Sequence, residues 1–211
     1  MDLLAMHVPA EGMAAIAGCV FVFALVAGVW ISTAKFNRRV RANFARLAAK
    51  FGLGVDLALR SGISARPVAE GPWRGRRTQV ISTLRRSISR RPVTLVVVEH
   101  RGKPIDVSIA RPFLGYRDPK EAYVATGDPG FDREFLVKGP PAILKGVLTP
   151  ALRSKLLRAI ELGMFAGTIR GAGQELQFAV YLLLDSEPRR LLTEHMIESL
   201  HDLAEGIEGA P

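Results

Sequence analysis

The sequence predicts an α+β protein, with one N-terminal transmembrane helix followed by a single cytoplasmic domain of mixed helices and antiparallel strands. Three observations lead there. Residues 12–34 carry no charged side chain. From about residue 66 onward, β-branched runs alternate with Gly, Pro and Arg, the punctuation of strands and turns. Apolar residues at helical spacing return at 36–51 and again at 192–207.

The apolar stretch GMAAIAGCVFVFALVAGVWISTA has 23 residues. As a helix it reaches ~34 Å, enough for a ~30 Å hydrocarbon core with some tilt. Trp30 stands near one end, where an indole suits the headgroup boundary. A cleaved signal peptide needs a basic start, whereas residues 1–11 hold Asp2 and Glu11 with no Lys or Arg. Ile16-Ala17-Gly18-Cys19 has the look of a lipobox, yet fifteen uncharged residues follow Cys19 where the apolar run should end. Beyond the span, residues 35–50 hold Lys35, Arg38, Arg39, Arg41, Arg46 and Lys50 and no acid. Short cationic flanks stay in the cytoplasm, so the expected orientation is N-terminus out in an inner (plasma) membrane. The organisation read from this is a short outer N-terminus (1–11), a span (12–34), a basic juxtamembrane helix (35–51), an α+β domain (52–207) and a tail (208–211).

Phe36, Val40, Phe44, Leu47 and Phe51 recur at intervals of 4, 4, 3 and 4, one face of a helix that Gly52 can end. That stripe packs on its own domain or lies in the membrane interface. Residues 77–84 read as a strand, 85–91 as its loop, and 93–100 (VTLVVVEH) as a central strand buried on both faces. Gly102-Lys103 turns that strand into a hairpin with 105–110. Residues 123–126 and 131–137 are expected as short strands around the Gly127-Asp128-Pro129-Gly130 turn. Thr149-Pro150 is an N-cap and first-position pair for a helix with Leu152, Leu156, Leu157 and Ile160 on one side. Residues 165–170 and 175–184 form a hairpin across 171–173. Ser186 opens the last helix, which repeats Leu192, Met196, Leu200, Leu203 and Ile207.

Charge is uneven. The chain has 29 Lys and Arg against 20 Asp and Glu, yet residues 35–111 hold a net +14 and residues 112–211 a net −3. Arg74, Arg76, Arg77, Arg85, Arg86, Arg90 and Arg91 lie in a stretch without an acid, and can form one basic end beside the anchor. With Lys35, Arg38, Arg39 and Arg41 they are the candidate residues for an anionic membrane surface. A protein partner is then expected on the more acidic C-terminal half. Nucleic acid is the weaker expectation, because Trp73 is the only aromatic between Gly52 and Phe113 and offers no stacking platform. A merely solvated, arginine-rich surface is the plain alternative.

Chemistry is sparse. One Cys and four His exclude a disulfide scaffold and a Cys-rich zinc module. No phosphate-binding loop, HExxH or nucleophile elbow occurs. No cofactor is expected. Glu194, Glu198 and His201 share a helix face with metal-like spacing, but a solvated polar face explains them better. Asp128, Asp132 and His100 are the scattered groups from which a membrane-tethered enzyme would have to assemble a site. The succession Ala48-Ala49-Lys50-Phe51-Gly52-Leu53, Gly75-Arg76-Arg77 and Thr126-Gly127-Asp128-Pro129-Gly130-Phe131-Asp132-Arg133-Glu134-Phe135-Leu136-Val137 resembles bacterial membrane-anchored domains of unknown function. The resemblance implies that architecture and no reaction. The function expected is binding or scaffolding, without catalysis.

Overall fold

The computed structural model describes residues 10–57, 67–84, 92–112, 121–163 and 167–210. The chain forms two compact units, residues 1–38 and 39–211. A single helix, α1 (Ala10–Phe51), supplies most of the first and enters the second. From Val20 to Ile31 its side chains are exposed, and this helix is long and apolar enough to cross a membrane. Of the expected N-terminal segment 1–11, residues 1–9 lie outside the described part and residues 10 and 11 already belong to α1; the side chain of Cys19 also lies outside it. In the second unit the stripe Val40, Phe44, Leu47 and Phe51 is buried, so this part of α1 is a core helix and does not lie flat on a bilayer. Gly52 (φ +65°) ends it, and Leu53 N–H bonds back to Ala48 O at 2.9 Å.

The rest is one antiparallel sheet with helices. In chain order the elements are β1 (Gly54–Asp56), β2 (Val68–Trp73), β3 (Arg76–Leu84), β4 (Pro92–Glu99), β5 (Ile105–Ala110), α2 (Pro129–Glu134), β6 (Leu136–Lys138), α3 (Pro141–Val147), α4 (Pro150–Glu161), β7 (Thr168–Gly173), β8 (Glu175–Val180) and α5 (Glu187–Glu208). The sheet order is β1-β2-β3-β4-β8-β7-β5-β6. Its inner face presents Ala69, Val80, Val96, Val98, Phe178 and Val180, all buried, to α5 and the α1 stripe.

Two sequence expectations are corrected. Residues 93–110 make no hairpin, because β4 pairs with β8 while β5 pairs with β7 and β6. The β7–β8 hairpin inserts between them, and the connection from β4 passes under the end of α5, with Gly102 against Ile207. Residues 131–134 are helix, not strand. Asp128 accepts from the N–H groups of Gly130 and Phe131, Pro129 supplies the first turn, and Phe131 stacks on Phe135 at 4.7 Å. Only Leu136–Lys138 pairs as a strand, and 123–126 meets it through one backbone–backbone bond, Val124 N–H to Val137 O. Sequence reading also passed over β1 and β2; the latter, VAEGPW, hides its pattern behind a Gly and a Pro. Thr149 caps α4 through Leu152 N–H as expected, whereas Ser186 stands at the N-cap of α5 without a side-chain bond.

Candidate functional site

The candidate basic residues divide into two kinds. Lys35, Arg38 and Arg39 are exposed on α1, Arg41 is half-buried, and none pairs with a carboxylate among the described residues. Arg74, Arg76 and Arg77 behave oppositely. Arg74 and Gly75 form the two-residue β2–β3 turn with φ +47° and +73°, a left-handed geometry that suits Gly and strains Arg. The Arg74 guanidinium lies 4.4 Å over the Trp73 ring and bonds Asp202 at 3.0 Å, which offsets that strain. Arg76 grips Glu208 with two bonds, 3.0 and 2.6 Å, and reaches Glu205 at 3.3 Å. Those bonds, with Arg101 N–H, hold the Glu208 carboxyl down at about 2. Arg77 is shared between Glu70 and Glu99. From Arg77, β3 carries the chain ~24 Å to Leu84. Arg85, Arg86, Arg90 and Arg91 lie outside the described residues.

The acidic helix is likewise spent internally. Every carboxylate of α5 meets a cation: Glu187 and Glu194 meet Arg190, Glu194 and Glu198 meet Lys50, and Asp202, Glu205 and Glu208 meet the hairpin arginines. Glu194 and Glu198 are therefore tied to Lys50 instead of facing a metal, and no His/Cys/Asp/Glu group of metal-binding size occurs among the described residues. His201, fully buried, shares a 2.8 Å hydrogen bond with Thr78 Oγ1 and packs edge-on against Trp73 at 4.3 Å. Burial, reinforced by Arg76 and Arg74, pushes its imidazole down to about 4.

The enzyme candidates do not converge. Asp128 caps α2 and bonds Arg153, while Asp132 accepts from the Thr126 N–H and hydroxyl. His100 is buried at the end of β4, its N–H on Gln174 O and its imidazole held below the usual value by burial. It lines a cavity of about 300 Å³ with Arg76, Arg77, Glu99, Arg101 and Gln174. No described contact joins it to either aspartate.

A feature that sequence reading missed is the outer face of the sheet. Register aligns Ile81, Leu95, Ala179, Thr168 and Ala110 in one row across β3, β4, β8, β7 and β5, all half-buried. The next row is Gln79, Val97, Gln177, Arg170 and Ser108, and beyond it stand Glu99, Glu175, Ala172 and Asp106. The face thus grades from apolar to charged. A cleft of about 300 Å³ opens at its apolar end, lined by Thr83, Val93, Leu95, Thr168, Arg170, Gln177, Ala179 and Tyr181. The signal was the unbroken β4 run. Val96 and Val98 go to the inner core, but Leu95 and Val97 are only half-buried and floor this outer face instead of a second core.

A helix long and apolar enough to cross a membrane leads into an eight-stranded antiparallel sheet with helices, which places the protein in the α+β class. No family model and no curated protein matches the chain. Among solved structures it is similar to the crystal structure of the mycobacterial trehalose monomycolate transport factor A, TtfA. The TM-score is 0.51 at 12% identity, over 83% of this chain and 96% of that one, a likeness of fold alone.

Proposed function

We propose that this chain is a single-pass membrane protein whose cytoplasmic domain does no covalent chemistry. It serves as a binding module for transport at the membrane, with its juxtamembrane helix held to anionic headgroups. The observation that carries this is the contrast in pairing. Lys35, Arg38 and Arg39 follow the apolar stretch and have no carboxylate partner among the described residues, while Arg74, Arg76 and Arg77 are neutralised by α5 and the sheet. Each unpaired cation near an anionic leaflet contributes ~1 kcal/mol, and chain connectivity keeps all three within a few turns of the headgroups. The fold shared with a protein described as a transport factor supports the transport role.

Residues 35–211 sedimented with vesicles test it. Binding is expected to anionic but not to neutral vesicles, to weaken with salt, and to be lost in Lys35→Gln/Arg38→Gln/Arg39→Gln. Arg77→Gln should leave it intact. Equal binding to neutral vesicles, or loss in Arg77→Gln alone, would refute the reading.

A further inference from the structure

We propose that the outer-face cleft binds a single aliphatic chain ending in a carboxylate, a ligand of the fatty-acid class. Its floor is Val93, Leu95 and Ala179, and small side chains at Ala179 and Thr168 leave the floor sunken beside Tyr181. The cleft crosses β3, β4, β8 and β7, three spacings or ~14 Å at 4.8 Å per strand, a length suited to an extended hydrocarbon chain of about twelve carbons. A volume of about 300 Å³ is that of a small-ligand site.

Arg170 fixes the polar end. It is exposed in the adjoining row, on the rim of the cleft, and no carboxylate among the described residues pairs with it. The cross-strand neighbour Gln177 is turned to Glu175 at 3.0 Å and leaves the guanidinium open. An unpaired planar guanidinium beside an apolar trough complements a carboxylate, which it can engage through two parallel bonds. Each methylene buried in the trough strengthens binding about fourfold, so affinity rises with chain length until the row is filled. The cleft lies wholly within residues 39–211 and goes beyond the headgroup contact of the juxtamembrane helix.

The full chain in discs of neutral phosphatidylcholine is photolabelled with a 12-carbon fatty acid carrying a terminal diazirine, and with the corresponding alcohol. Adducts are mapped by mass spectrometry. The acid is expected to label Val93, Leu95 or Ala179, and a 10-carbon acid, two methylenes shorter, to label them about 16-fold less. Ala179→Phe, which fills the trough, and Leu95→Gln, a milder change kept in case the first does not fold, should each cut that labelling several-fold. Arg170→Gln should bring the acid down to the level of the alcohol. Labelling confined to residues 20–34, labelling unchanged in a folded Ala179→Phe or Leu95→Gln chain, or equal labelling by acid and alcohol in the parent would overturn the proposal. Neutral discs carry no headgroup charge, so this outcome is independent of the vesicle result.

Discussion

His201 combines a buried imidazole with two nearby guanidiniums, and the combination has a sign. Its folded-state value lies near 4 against an ordinary 6.5, so the unfolded chain takes up a proton first as pH falls. Stability is therefore full above about pH 6.5 and is lost as pH drops toward about 4, by up to about 3 kcal/mol. Glu208 adds a second loss lower down, as pH falls from its ordinary 4.5 through about 2. His201→Phe removes the first titration. It should lower stability at pH 7.5, because Thr78 loses its 2.8 Å bond and keeps only the longer one to Arg76 O, yet flatten the melting temperature between pH 6.5 and 4.5 relative to the parent. Identical slopes in a pH series of thermal melts would mean that the imidazole is hydrated. None of this was legible in the sequence. The spacing of Glu194, Glu198 and His201 is indeed one helix face, but spacing says nothing about what stands opposite, here Lys50 and Thr78.

Helices and strands were legible where one local cause dominates and illegible where a distant partner decides. The leucine spacing of α4 and α5, the Thr149 cap and the β4 run need only their own residues. The pairing of β4 with β8 depends on residues some 80 positions away, and a Gly-Lys turn signal cannot compete with that burial. The contact of α5 with α3 gives the sharpest test. A Cβ at Gly206 would lie 2.8 Å from Val147 Cγ1 and 3.4 Å from its Cα. Gly206→Ala gains up to about 1 kcal/mol of helix propensity, but overpacking of 1–3 kcal/mol should leave a net loss of about 1–2. Adding Val147→Ala should recover part of it, a positive coupling that denaturant titration of the four chains would read. A Gly206→Ala chain more stable than its parent would place α3 farther from α5.

Among the described residues, a cationic strip without carboxylate partners joins a domain in which α5 and the arginines around the β2–β3 turn match one another's charge. Composition already announced the imbalance between residues 35–111 and 112–211. It could not announce that α5 cancels the β2–β3 arginines, since cancellation depends on which elements pack together. The apolar outer row was hidden for the same reason: it is assembled from five strands and exists in no single one. The orientation proposed above rests on the flank charges alone. An alkaline phosphatase joined after Pro211 should be inactive, and one joined before residue 12 active; the reverse pattern would invert the topology.

The insertion of β7 and β8 between β4 and β5 also sets a timetable. At 5–20 residues per second, roughly 4–16 s pass between the synthesis of Glu99 and that of Val180, its strand's last missing neighbour. Through that interval β4, the most β-prone run in the chain, has one open edge, and α5 has not yet been made to cover its inner face. On the proposed topology, a growing chain whose first helix is already lodged in a bilayer cannot meet its sisters freely in solution while it waits. Released from that tether, by deletion of residues 12–34, the same domain should misfold more often during synthesis than when it is refolded whole, because only in synthesis is β4 made to wait.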